Sequence, residues 1–343
     1  MKKYVVSLSL VCFLALTSAR SLGQVVDVVL DSPSMDRWNY PFNGSPGSRL
    51  SASTFGAVEL EGFDDRDAQL VIGFDTSGMV EAGLDAGEYD IISVRVTITN
   101  TNGDEFRYDP TYDGHTTYAF LDESNDPDPG RPVTLWGVGY RNGYDASSWG
   151  EFTMFGGAPV IEPAQGARHA FACDFPSIGV ARDISNNLKE EFDPMPMAVG
   201  QADSATPGAF VAAETDFVFD IQTCDGAFNA YIAAGVASGE VRFSVSSLST
   251  ANGGMGGGTG DIQYPFWYTR ENPLGSLLGY SPRIELRVRV GSAGDYNADG
   301  TRDVFDVFAF LDDFNAGNAD ADLQRDCVFD VFDVFAFLNA FNS

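Results

Sequence analysis

Residues 303–315 read DVFDVFAFLDDFN, and residues 330–342 read DVFDVFAFLNAFN. The two stretches lie at an offset of 27 and differ in two letters. The same offset carries the match backwards, so that 295–315 aligns with 322–342. A unit this short cannot bury an apolar face alone, and a second copy can cover it. The repeat therefore predicts two equivalent units packed face to face at the C-terminal end.

Each unit opens with oxygen-bearing side chains at a fixed spacing. In DYNADGTRDVFD, Asp295, Asn297, Asp299, Thr301, Asp303 and Asp306 hold positions 1, 3, 5, 7, 9 and 12, with Gly300 at 6. Calcium takes six to eight oxygens, and a loop with this spacing wraps one ion; position 7 gives a backbone carbonyl and glycine at 6 allows the sharp turn. The second copy keeps Asp322, Asp326, Val328 (through its carbonyl), Asp330 and Asp333, but has Gln324 at position 3 and Cys327 at position 6. A Cβ at that turn is strained if the backbone takes a positive φ, so the first loop is expected to bind Ca2+ more tightly. After each loop comes an apolar segment. Val304, Val307, Phe308 and Leu311 fall three and four apart and predict a helical stripe, widened by Phe305, Phe310 and Phe314.

Loop plus helix, twice, over residues 295–342 resembles a dockerin module, the paired half EF-hand that docks secreted bacterial proteins to a scaffold. Asp at position 12 fits that family better than ordinary EF-hands, and the Phe-rich helices are most similar to dockerin-like tails of planctomycete-type secreted proteins. Arg302 at position 8 departs from the family, which usually has an apolar residue there. The resemblance implies a cohesin-like or other surface scaffold as partner. It also implies partner contacts at loop positions 10 and 11, here Val304, Phe305, Val331 and Phe332, with two alternative docking poses from the near-symmetry. These residues could instead belong to the core of the tail.

Residues 24–290 read differently. In RIELRVRV, Ile284, Leu286, Val288 and Val290 share one face, while Arg283, Glu285, Arg287 and Arg289 share the other. Val94, Val96 and Ile98 alternate in the same way, as do Phe217, Phe219 and Ile221, and Val241, Phe243 and Val245. Period two with one polar face means half-buried antiparallel strands. One short helix is expected around Phe228, Tyr231, Ile232 and Val236. Many such strands separated by Gly, Pro, Asn and Asp predict an antiparallel β-sandwich, jelly-roll-like, joined through the linker 291–294 to the module at 295–343. Residues 69–99 and 135–151 look like secreted β-sandwich modules related to carbohydrate-binding domains.

The chain begins with Lys2 and Lys3, an apolar run from Tyr4 to Leu16, and small residues up to Gly23. That pattern predicts a secretory signal peptide over 1–23, and the run is short for a membrane span. The formal charge is −29, and losing Lys2, Lys3 and Arg20 makes the remainder more negative still. Such a surface repels nucleic acid. In an oxidising compartment Cys173 and Cys224 are the expected disulfide, leaving Cys327 alone.

No nucleophile elbow, HExxH or phosphate-loop ending occurs. GGMGGGTGD at 253–261 reads as a loop, and His115 and His169 have no partner motif. The acidic clusters DDRD (Asp64, Asp65, Asp67) and DESNDPDPG (Asp122, Glu123, Asp126, Asp128) read as solvated loops, the second with a calcium loop as alternative. Trp136, Tyr140, Tyr144 and Trp149 would make a glycan platform if they shared an exposed face, and core packing is the competing assignment. The expected function is calcium-dependent docking by a secreted protein whose body binds a glycan or surface partner. The alternatives are a dockerin-bearing polysaccharide hydrolase, in which two of the body's carboxyls would do the chemistry, and a structural adhesion protein.

Overall fold

The computed structural model describes residues 23–57, 62–119, 129–156, 167–251 and 263–343. The leader up to residue 22, the acidic cluster at 122–128 and the glycine-rich stretch at 253–261 lie outside the described residues.

The described chain is mainly β, with few helices. Its strands are β1 (Gln24–Leu30), β2 (Met35–Asn39), β3 (Ser51–Ser53), β4 (Gln69–Asp75), β5 (Tyr89–Thr99), β6 (Val133–Tyr140), β7 (Ala170–Ser177), β8 (Val180–Asp183), β9 (Ala198–Val199), β10 (Asp216–Asp220), β11 (Glu240–Ser247), β12 (Phe266–Tyr268) and β13 (Arg283–Val290). The helices are α1 (His115–Ala119), α2 (Gly226–Ser238), α3 (Pro273–Leu278), α4 (Val304–Ala316) and α5 (Val331–Asn342). One sheet has the order β1-β13-β5-β10, and a second runs β2-β4-β11-β6-β7-β8 with β9 also on β6. A short ribbon pairs β12 with β3. Every strand pairing is antiparallel.

Alternation places the core. Ile284, Leu286 and Val288 of β13, with Val94, Val96 and Ile98 of β5, meet Leu70, Ile72 and Phe74 of β4 and Val241, Phe243 and Val245 of β11 in one buried cluster between the sheets. Helix α2 closes the cluster with Phe228, Ile232 and Val236. Its first turn is capped by Asp225, whose carboxylate accepts from Ala227 N and Phe228 N, and it ends at Gly239 with φ +89°. That left-handed turn suits a residue without Cβ.

The second sheet is covered on its outer face as well, which the alternation did not predict. Trp136 packs there with Ala172 and Ile184, and its Nε1 donates to Thr134 Oγ1 and Ser246 Oγ. Trp149 packs with Met35, Val71 and Val138, under the Arg37 guanidinium 4.5 Å from its ring. Both tryptophans are buried. The four-residue glycan platform is therefore corrected: two members have no face to offer a sugar.

The DDRD loop is also buried, not solvated. Asp64 takes Arg168 Nε at 2.8 Å and Asn186 Nδ2 at 2.7 Å. Asp65 accepts the amides of Leu188 and Lys189 and pairs with Lys189 Nζ at 3.0 Å. Buried carboxylates persist when paired and hydrogen-bonded in this way.

The disulfide expectation is overturned too. Cys224 is bonded to Cys327, and Cys173 is a free, buried thiol. Cys173 points into the inter-sheet cluster from β7. Cys224 stands one residue before the cap of α2, at the end of the body that meets the tail.

The tail lies on the polar face of β13. Arg287 makes a two-pronged pair with Asp320, at 2.9 and 2.6 Å. Arg325 does the same with Asp90 of β5, at 2.5 Å through each nitrogen. Arg289, buried, donates to Asp320 O and Asp90 Oδ2 and lies over the Tyr296 ring. Close backbone approaches complete the seam. A Cβ on Gly294 would sit 2.3 Å from Ala340 O, and one on Gly23 would sit 2.2 Å from Asp295 O. The segment 291–294 is accordingly a packed connection, with Gly291 N donating to Glu88 O.

Candidate functional site

The two tail loops are built alike. In the first, Asp295 Oδ1 and Oδ2 accept the amides of Asp299 and Gly300. Asp306 Oδ1 and Oδ2 accept those of Asn297 and Asp303. In the second, Asp322 accepts from Asp326 and Cys327, and Asp333 from Gln324 and Asp330. The acids at positions 1 and 12 are buried in both loops. They hold the loop backbone around themselves, and the acids at 12 also close a capping box with Asp303 or Asp330 at the start of α4 or α5.

Backbone conformation repeats as well. Position 4 is left-handed in both loops (Ala298 φ +57°, Arg325 φ +54°), and so is position 6 (Gly300 φ +85°, Cys327 φ +61°). Cys327 therefore does take the conformation for which glycine is better suited, and its sulfur is tied to Cys224. Thr301 N and Val328 N each donate to the position 5 aspartate. One local difference follows from side-chain length. Asn297 Oδ1 accepts from Asp299 N at 2.9 Å, whereas Gln324 makes no such turn among the described hydrogen bonds. Burial pushes the Asp322 carboxyl above its ordinary range, against the two amides that donate to it.

All the donors in these loops are hard oxygens, which suits calcium. Among the described residues no three carboxylates of one loop converge within 4.8 Å. Their oxygens face backbone amides, and each carboxylate oxygen keeps a second lone pair.

The helices contribute less to the tail's core than the stripe predicted. Phe310 and Phe337 are buried there with Tyr296 and Ala321. Val307 and Phe314, with Val334 and Phe341, pack partly against them. Val304, Phe305, Phe308 and Leu311 face solvent, as do Val331, Phe332, Phe335 and Leu338 at the equivalent places. Phe305 is 62% exposed and Phe332 54%, which rules out a core role for them. Of the expected stripe, Val304, Phe308 and Leu311 therefore face solvent and Val307 alone turns to the core, and the 27-residue offset gives Phe335 and Leu338 as the equivalents of Phe308 and Leu311.

In the body, Tyr140 and Tyr144 remain partly open. They line a cavity of about 460 Å³ with Phe175, Ile178 and Tyr231. Tyr144 packs on His169, ring centroids 4.5 Å apart, and burial lowers the His169 pKa. His115 lies 3.0 Å from Asp193.

Among the described residues no helix is long and apolar enough to cross a membrane. The chain matches no protein-family model, and no curated protein matches it.

Proposed function

We propose that this is a secreted docking protein: a β-sandwich body anchored through two calcium loops and the doubled apolar face behind them. The carrying observation is that face. Eight large apolar side chains, four per helix at matched positions, stand in solvent on a chain of formal charge −29. Exposed apolar area gathered in this way marks a binding surface. The disulfide supports an oxidising location. The loops' buried position 1 and position 12 acids, with left-handed turns at the same places, support calcium as the ion that fixes them. A scaffold domain of cohesin-like kind suits a surface of this size and symmetry.

For the body, this reading favours the Tyr140–Tyr144 cavity, where a sugar ring would stack on tyrosine. The hydrolase alternative draws no support from Asp64 and Asp65, which are committed to Arg168 and Lys189.

The test is capture on the immobilised full chain from an envelope fraction, in calcium and in chelator. A scaffold protein retained only in calcium is expected. Phe305→Asp alone should leave retention largely intact, because the second copy offers the same surface. Phe305→Asp with Phe332→Asp should abolish it. Retention that ignores both chelator and the double substitution would overturn the reading.

A further inference from the structure

A second cluster of acids lies in the body, far in sequence from the tail. Asp36 stands on β2, Glu151 follows Gly150 in the loop after β6, and Glu271 lies in the turn between β12 and α3. One oxygen from each lies within 4.8 Å of the others. Oxygens 2.3–2.6 Å from a calcium ion can lie up to about 5 Å apart across its shell, so the three fit one ion.

Arg270 organises the cluster without satisfying it. Its Nη2 donates to Glu151 Oε2 at 2.5 Å, its Nε to Glu271 Oε1 at 2.8 Å, and its backbone N to Asp36 Oδ2 at 2.7 Å. One oxygen of each acid is thereby fixed. Of the remaining oxygens, Glu151 Oε1 has only a long 3.4 Å contact from Asp36 N. Asp36 Oδ1 and Glu271 Oε2 are buried, and among the described residues no N–H or hydroxyl donor reaches either of them. Asp36 is 1% exposed, and leaving a carboxylate oxygen unpaired at that depth is costly.

We infer that Asp36, Glu151 and Glu271 form a divalent cation site, calcium by its all-oxygen donor set, which pins the β2 strand, the 141–156 loop and the 269–272 turn together. Two acids with 11% and 23% side-chain exposure give the ion a way in from solvent. The site is separate from the tail loops and does not depend on their reading.

The experiment counts metal. The full-length protein is stripped with chelator, dialysed against buffered calcium, and its bound calcium measured by mass spectrometry. Glu271→Gln is expected to bind one ion fewer than the parent. Asp295→Asn with Asp306→Asn, in the tail, leaves that difference unchanged. Asp36→Asn, nearly the same shape as the parent side chain, is the companion variant should Glu271→Gln not fold, and it should lose the same ion. If folded variants at both positions bind as many ions as the parent, Asp36 and Glu271 share a proton instead, and the site is refuted.

Discussion

Phe310 and Phe337 stack face to face, ring centroids 4.4 Å apart and 2° from parallel. They occupy the same position in the two repeats, so each ring is the floor on which the other copy rests. Tyr296 meets both rings edge-on. Phe310→Ala should therefore destabilise the tail by about 3–5 kcal/mol, the usual cost of emptying an aromatic site. Amide exchange over 295–343 in the full chain would report it, with the body's strands still protected.

The disulfide makes a second prediction. It joins residues 103 apart, and closing so long a loop stabilises by about 2–5 kcal/mol. Cys224→Ser with Cys327→Ser should lose that amount in denaturant titration. Cys224→Ser with Cys327→Gly should recover about 1 kcal/mol of the loss, because glycine accepts the left-handed turn at position 6. Equal stability of the two variants would show that the turn at Cys327 carries no strain.

The seam between tail and body makes a third. Burial alone would raise the Asp320 carboxyl, but hydrogen bonds and charge from Arg287, with Arg289 and Arg325 beyond, hold it below the ordinary range. A depressed carboxyl stabilises the fold above its unfolded value, near 3.8, and that contribution fades as pH falls through the lower folded value. Asp320→Asn should cost about 2 kcal/mol at neutral pH, less than a fully buried pair because Arg287 is 36% exposed. The parent and variant should converge in acid melts.

Asp67 behaves in the opposite sense. Burial, partly countered by Arg168, pushes its carboxyl up to about 7. The folded state then holds a proton that the unfolded state has already released. Stability falls as pH rises from near 4 to near 7, and the penalty is full above that. Asp67→Asn should remove this slope and be more stable than the parent at pH 8, by at most about 4 kcal/mol. Melting temperatures at pH 5 and pH 8 decide it.

The apolar alternation of Ile284, Leu286 and Val288 was enough to place β13 and its inner face. Its polar face was not readable, because nothing local distinguishes an arginine facing water from Arg289, which lies under the tail. The fate of the tryptophans was hidden for a similar reason: loops from distant parts of the chain cover the outer face of the second sheet. Cys224 found its partner through docking of the tail, which spacing does not encode. Asp36, Glu151 and Glu271 stand more than a hundred residues apart in turn and converge only in the fold. The matched left-handed turns of the two tail loops were legible because each loop is written within twelve residues, so that local sequence alone sets its backbone.

Strand β1 pairs along its whole length with β13, Gln24 against Val290 and Leu30 against Ile284. During synthesis the first strand therefore waits, its edge unmet, while about 250 further residues emerge, on the order of tens of seconds at ribosomal speed. Its partner strand leads directly into the first loop of the tail. Closing the sheet and seating the tail thus belong to the same late moment in the life of the chain. A molecule halted shortly before β13 would hold most of its strands, with β5 and β10 already able to pair, but β1 would lie unpaired and the tail would be missing.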